Sequence, residues 1–180
     1  MKQPVSTITN VAYAWAAYEV MLRASEPLHW IVGISLILLA VGSGLYHSTL
    51  TSIGQSADES AMYLVFAFLI GLAAEPYTGL TTAFYGSSLL ATVLIGWHKP
   101  IDSSWVLPAM YVPIFTAMVL SSGWQTALLI TGLMLGAALV REFGERFGGS
   151  GSHHIAHELS HGFWHLATAF GLYQITITLA

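Results

Sequence analysis

The chain has no cysteine, and only 8% of its 180 residues are charged. Without cysteine, disulfides, thiolate zinc sites, iron–sulfur clusters and a cysteine nucleophile are excluded, and the redox compartment is not legible. Any metal must be held by His, Asp or Glu. Basic residues are scarce too: five Lys and Arg against nine Asp and Glu leave a formal charge of −4. No cationic face is available for a phosphate backbone, so nucleic acid is excluded as a partner. The opening stretch, MKQPVSTITN, lacks a basic region followed by a short apolar core and a small-residue cleavage site, so no removable signal peptide is expected.

What the chain does have is apolar surface: 55% of its residues are hydrophobic and the mean hydropathy is +0.68. No ordinary soluble domain of this length carries that composition, which predicts a multi-pass integral membrane protein with the lipid bilayer as its surroundings. Seven apolar segments, at about 5–24, 28–47, 57–74, 78–97, 104–121, 124–142 and 154–179, are each close to the roughly 20 residues that cross a hydrocarbon core. Between them lie short breaks with loop chemistry: Ser25-Glu26-Pro27, Thr51 to Ser56, Glu75-Pro76, His98-Lys99-Pro100, Ser121-Ser122-Gly123 and the run Gly148-Gly149-Ser150-Gly151-Ser152. Short breaks make sequential segments antiparallel neighbours. The expectation is therefore an all-α bundle of seven transmembrane helices, with residues 1–180 forming a single domain and no internal repeat.

Seven crossings put the termini on opposite sides. The amino-terminal side then holds Lys2, Lys99, Arg141 and Arg146, and the other side only Arg23, which favours a cytoplasmic amino terminus. Trp30, Trp97, Trp105 and Trp124 fall near segment ends, as interfacial aromatics do.

Against this apolar background the polar residues stand out. In the last segment His153, His157, His161 and His165 recur every four residues, a spacing that stacks them on one helix face. With a rise of about 1.5 Å per residue, His165 lies about 8 Å inside the near surface and His161 is just submerged. His157, His154 and His153 then project into the interface or the aqueous loop. The same rise carries His47 to the amino-terminal side of the second segment, and Asp58 opens the third segment there. Ser56-x-x-Glu59 reads as a capping box at that opening. His29 and His98, taken singly, read as interfacial residues. His153, His154 and His157 fit a surface metal-scavenging tract, a pH-sensitive rim or plain interface residues.

His47, Asp58, His161 and His165 come from three segments yet share a depth and a side. Ionisable groups inside a membrane usually face the bundle interior and pair with something. A His-x-x-x-His pair plus a third His supplies the three neutral nitrogens of an open zinc site, with a position left for water. Asp58 is placed to hydrogen-bond that water or to orient a ligand, and Ser43, one turn before His47, to donate to an oxyanion.

Three blocks carry a resemblance to a known family. Ser43-Gly-Leu-Tyr-His47-Ser-Thr-Leu, Gln55-x-x-Asp58-Glu59-x-x-Met62 and His161-x-x-Trp164-His165-x-x-Thr168-x-x-Gly171-x-Tyr173 together resemble the alkaline ceramidases. These belong to a superfamily of seven-helix membrane hydrolases that includes the progestin and adiponectin receptors and the hemolysin III proteins. The resemblance implies zinc as cofactor, with His47, His161 and His165 as its ligands and Ser43 and Asp58 as active-site residues. The short His47-to-Asp58 spacing and the Gln-x-x-Asp-Glu run look like the ceramidase branch. The implied activity is hydrolysis of the amide of ceramide or a related N-acyl membrane lipid. One departure is the amino terminus: animal and fungal relatives carry an acidic calcium-binding segment there, and this chain has Met1 to Val5 with Gln3 as the nearest polar side chain, so no calcium site of that kind is expected. Another is the extra histidines, because His157 with His161 has the same spacing as His161 with His165. Depth and the Trp164-His165-x-x-Thr168 match favour the deeper pair.

Other classes compete with the hydrolase. One is a receptor-like or homeostatic membrane protein with a structural zinc. A di-iron hydroxylase needs about eight histidines in several boxes, and His29 and His98 are badly placed for that. A haem bundle needs axial histidines from facing helices.

Overall fold

The computed structural model describes residues 2–97, 103–147 and 154–179, and those residues are helical almost throughout, with no strand among them. The elements are α1 (Pro4–Thr9), α2 (Val11–Leu22), α3 (Pro27–Thr49), α4 (Ser52–Thr78), α5 (Leu80–Trp97), α6 (Ser103–Ser122), α7 (Trp124–Phe147) and α8 (His154–Leu179). Asn10 between α1 and α2 keeps right-handed helical angles, so the two continue as one interrupted helix and the described residues form seven helical segments. His98, Lys99, His153 and the Gly148 to Ser152 linker lie outside the described residues, and Arg146 and His154 are described in their backbone alone.

Very short connections make antiparallel hairpins of α3 with α4, α4 with α5 and α6 with α7, and each pair packs side by side. The bundle closes because α1 and α2 also pack on α8, while α4 touches α3, α5, α6 and α8. Leu28, Val32, Leu36 and Leu39 form one buried stripe of α3 at helical spacing, set against Ala61, Val65, Leu69 and Leu72 of α4. The opposite faces present Ile37, Leu38, Val41, Leu89, Val112, Leu120, Leu129 and Leu135, a belt suited to lipid contact. Pro27–Thr49, Ser52–Thr78 and Trp124–Gly144 are long and apolar enough to cross a membrane by themselves, and Leu80–Gly96 and Val106–Ser122 are shorter apolar helices. Trp30 and Trp124 are exposed at helix ends, as the interfacial reading expects.

Two local expectations are corrected. The break between α3 and α4 is only Leu50 and Thr51, not Thr51 to Ser56. Leu50 adopts a left-handed conformation (φ 52°) and returns its N–H to the Tyr46 carbonyl at 2.6 Å, which ends α3 abruptly. Thr51 then caps α4 by accepting from Gly54 N at 3.2 Å. Ser56 is consequently inside the helix, no capping box forms there, and Glu59 instead accepts from Gln55 Nε2 one turn earlier, at 2.9 Å. Second, Glu75-Pro76 does not end α4, which runs through Pro76 to Thr78 and stops at Gly79 with φ 78°. His29, in the first turn of α3, is buried against the bundle, and its ring nitrogens have no hydrogen-bond partner among the described residues.

Helix association in lipid depends on close packing more than on water exclusion, so small residues matter at crossings. A Cβ at Gly42 would lie 2.9 Å from the backbone carbonyl of Ala57, and one at Gly54 would lie 2.8 Å from Tyr46 Cα. Backbone thus meets backbone at two points of the α3–α4 hairpin, one beside Ser43 and one beside His47. Gly42→Val is expected to force the two helices apart and destabilise the protein by about 1–3 kcal/mol. Thermal unfolding in detergent checks this, and an unchanged midpoint would contradict the close crossing.

Candidate metal centre

The α3–α4 crossing fixes the first half of a polar cluster. Ser43 and His47, one turn apart, lie on the buried face of α3, and Asp58 enters from the second turn of α4. Ser43 and Asp58 lie at the same crossing, since a Cβ on Gly42, the residue before Ser43, would lie 3.1 Å from Asp58 N.

Helix α8 supplies the second half. Its histidines at positions 161 and 165 share a face, and the His161 ring lies 4.6 Å from that of His47 and 4.8 Å from that of His165. The His47 and His165 rings are 5.0 Å apart. One potential ligand nitrogen from each of His47, His161 and His165 lies within 4.8 Å of the others, so the three can hold a metal ion. In a tetrahedral zinc site ligand nitrogens stand about 3.3 Å apart, given bonds of about 2.0–2.1 Å. The three rings are therefore gathered on the scale of a single ion.

His157 is one turn further out, its ring 5.9 Å from that of His161, and it is not part of the three-nitrogen group. The deeper pair expected from the sequence is the one that converges with His47. Placement of the cluster at one end of the bundle follows from the elements: it joins the last turns of α3, the first turns of α4 and the outer half of α8. Asp58 is half-buried, whereas His47 and His165 are buried.

The structure adds residues that the sequence did not single out. Gln3 Oε1 lies 2.5 Å from His47 Nδ1, and Thr9 Oγ1 lies 3.0 Å from His165 Nδ1. Tyr13 packs its ring against that of His165 at 5.7 Å, and its hydroxyl bonds Thr168 Oγ1 at 2.7 Å. Arg141 of α7 lies over the Trp164 ring at 5.8 Å. A signal for some of these was present: Ser6, Asn10 and Tyr13 form a polar stripe at helical spacing through an apolar segment, and all three are buried.

A polytopic helical bundle with three converging imidazoles, and with Ser43 and Asp58 at the adjoining α3–α4 crossing, defines a membrane protein with a candidate metal centre. Comparison with protein families places this further, since the ceramidase family matches residues 3–137, three quarters of the chain. The chain belongs to the ceramidase family. The matched stretch contains Ser43, His47 and Asp58, and it ends before α8. Comparisons with curated proteins and with solved structures give no match. Membership supports hydrolysis of the amide bond of a ceramide-type lipid.

Proposed function

We propose that this protein is a zinc-dependent membrane amidase that cleaves ceramide or a related N-acyl lipid into a fatty acid and a long-chain amine. The observation that carries the proposal is the gathering of His47, His161 and His165 at the end of the bundle where Ser43 and Asp58 meet the α3–α4 crossing. The donor set fits zinc: three imidazole nitrogens, no thiolate, and room in the coordination shell for water or substrate. When bound, zinc would act as a Lewis acid toward the amide carbonyl and would make a water acidic near neutral pH.

The chain's own residues supply the rest. Asp58 accepts a proton as water adds to the carbonyl carbon, and it returns that proton to the nitrogen as the C–N bond breaks, so carboxylic acid and amine leave with atoms balanced. Ser43, one turn before His47 on the buried face of α3, donates to the oxyanion that develops on the carbonyl oxygen. The cluster's place at one end of the bundle suits a lipid whose amide lies at the interface while its chains stay in hydrocarbon. Lys2 and Arg141 at that end support a cytoplasmic orientation of the site.

The test is fatty-acid release by the purified protein from a panel of N-acyl lipids, with and without a zinc chelator. Release from ceramide or another N-acyl lipid that stops on chelation and returns with zinc is the expected result. Metal binding without release from any member of the panel would instead favour a receptor-like protein with a structural zinc.

A further inference from the structure

We propose that residues 2–9 are a built-in positioning segment for the metal centre, in which Gln3 and Thr9 dictate the nitrogen that His47 and His165 offer to the ion. This rests on the metal reading above and extends it to residues that do not touch the metal. A neutral imidazole carries one N–H and one lone pair, and only the lone-pair nitrogen can ligate. At His47, Nδ1 faces Gln3 Oε1 at 2.5 Å. A carboxamide oxygen only accepts, so Nδ1 carries the proton and Nε2 is left as the ligand.

The same logic holds at His165 by a different route. Thr9 Oγ1 lies 2.9 Å from the Val5 carbonyl and 3.1 Å from that of Ser6. Its single proton is therefore directed along the helix, and toward His165 Nδ1, at 3.0 Å, the oxygen presents a lone pair. An acceptor there requires a proton on Nδ1, which again leaves Nε2 for the ion. Outer acceptors of this kind set the tautomer and ring orientation of ligating histidines elsewhere in protein chemistry. Here one stretch of eight residues would do it for ligands on two different helices.

The segment is itself fixed at three points. Gln3 N donates to the His47 carbonyl at 3.0 Å and Lys2 N to that of Ser48 at 3.2 Å, using carbonyls in the last turn of α3 that lack helical partners. Val5 N donates to Glu158 Oε2 of α8 at 2.9 Å. Gly162, one residue after His161, allows the approach, since a Cβ there would lie 3.0 Å from Val5 and 3.2 Å from Thr9. The segment is thus pinned to both ligand-bearing helices within a few residues of the histidines.

The test uses the full-length protein and two isosteric substitutions, Gln3→Met and Thr9→Val, with Gln3→Glu and Thr9→Ser as variants that keep an acceptor in place. Zinc affinity is measured by chelator competition, and ligand geometry by the visible absorption of the cobalt(II)-loaded protein. Gln3→Met and Thr9→Val are each expected to weaken zinc binding about 10–100-fold and to alter the cobalt spectrum. Gln3→Glu and Thr9→Ser are expected to hold both readouts at the wild-type values, with affinity for Gln3→Glu equal or higher. Wild-type affinity and spectrum in Gln3→Met and Thr9→Val would overturn the proposal. Loss in Gln3→Glu and Thr9→Ser would also overturn it, because packing rather than hydrogen-bond acceptance would then be the cause. A wild-type protein that binds neither zinc nor cobalt would remove the metal reading itself, a result distinct from either of these.

Discussion

Asp58→Asn is expected to retain one zinc per chain and to lose fatty-acid release by about 10²–10⁴-fold, the usual contribution of a positioned general base. Asparagine has nearly the same shape, so the close α3–α4 crossing beside position 58 survives. What it cannot do is take a proton from water and deliver it to the departing amine. The contrast with Ser43→Ala is informative. Removing one oxyanion donor lowers turnover by about 10²–10³-fold elsewhere, and it leaves the carboxylate in place. Metal content and turnover measured on the same preparation separate the outcomes, and a fully active Asp58→Asn protein would remove Asp58 from the chemistry.

The second large effect is on the metal itself. His161→Ala takes away the ring that lies closest to both other members of the cluster, at 4.6 and 4.8 Å. Two imidazoles from separate helices are a poor zinc site, so stoichiometric binding should disappear and turnover should fall by about a thousandfold or more. His157→Ala is the comparison, since its ring is 5.9 Å from His161 and outside the three-nitrogen group. That variant should keep its zinc. The reverse pattern, with zinc lost in His157→Ala and kept in His165→Ala, would mean that the ligand pair is one turn further out.

Much of the site was legible because the membrane makes polar residues conspicuous. Ser43, His47, Asp58, His161 and His165 interrupt apolar helices, and helical rise alone put four of them at a common depth. The helical architecture followed from segment length and short breaks. Helix ends were less legible. Gly54 resembled a breaker but sits inside α4 because the crossing with Tyr46 needs a residue without a side chain, and Thr51 already supplies the cap. Pro76 resembled a stop, but it falls in the last turn of α4, where the helix has only two residues left to run.

Residues of the amino-terminal segment were illegible for another reason. Gln3 meets His47 across 44 positions, and Thr9 meets His165 across 156. Nothing in local periodicity announces such pairings, which depend on the amino-terminal segment packing against both α3 and α8. Glu158, one turn from His161, could have been read as a ligand by spacing alone, yet it holds the Val5 N–H. Family comparison does not supply this either, because the matched region ends at residue 137 and α8 lies beyond it.

The central claim is that His47, His161 and His165 hold a zinc ion on which hydrolysis depends. Elemental analysis of the protein purified in mild detergent, with fatty-acid release from N-acyl lipids assayed on the same sample, tests it most directly. One zinc per chain with chelator-sensitive release is the predicted result. Sustained release from protein shown to be free of metal would contradict it.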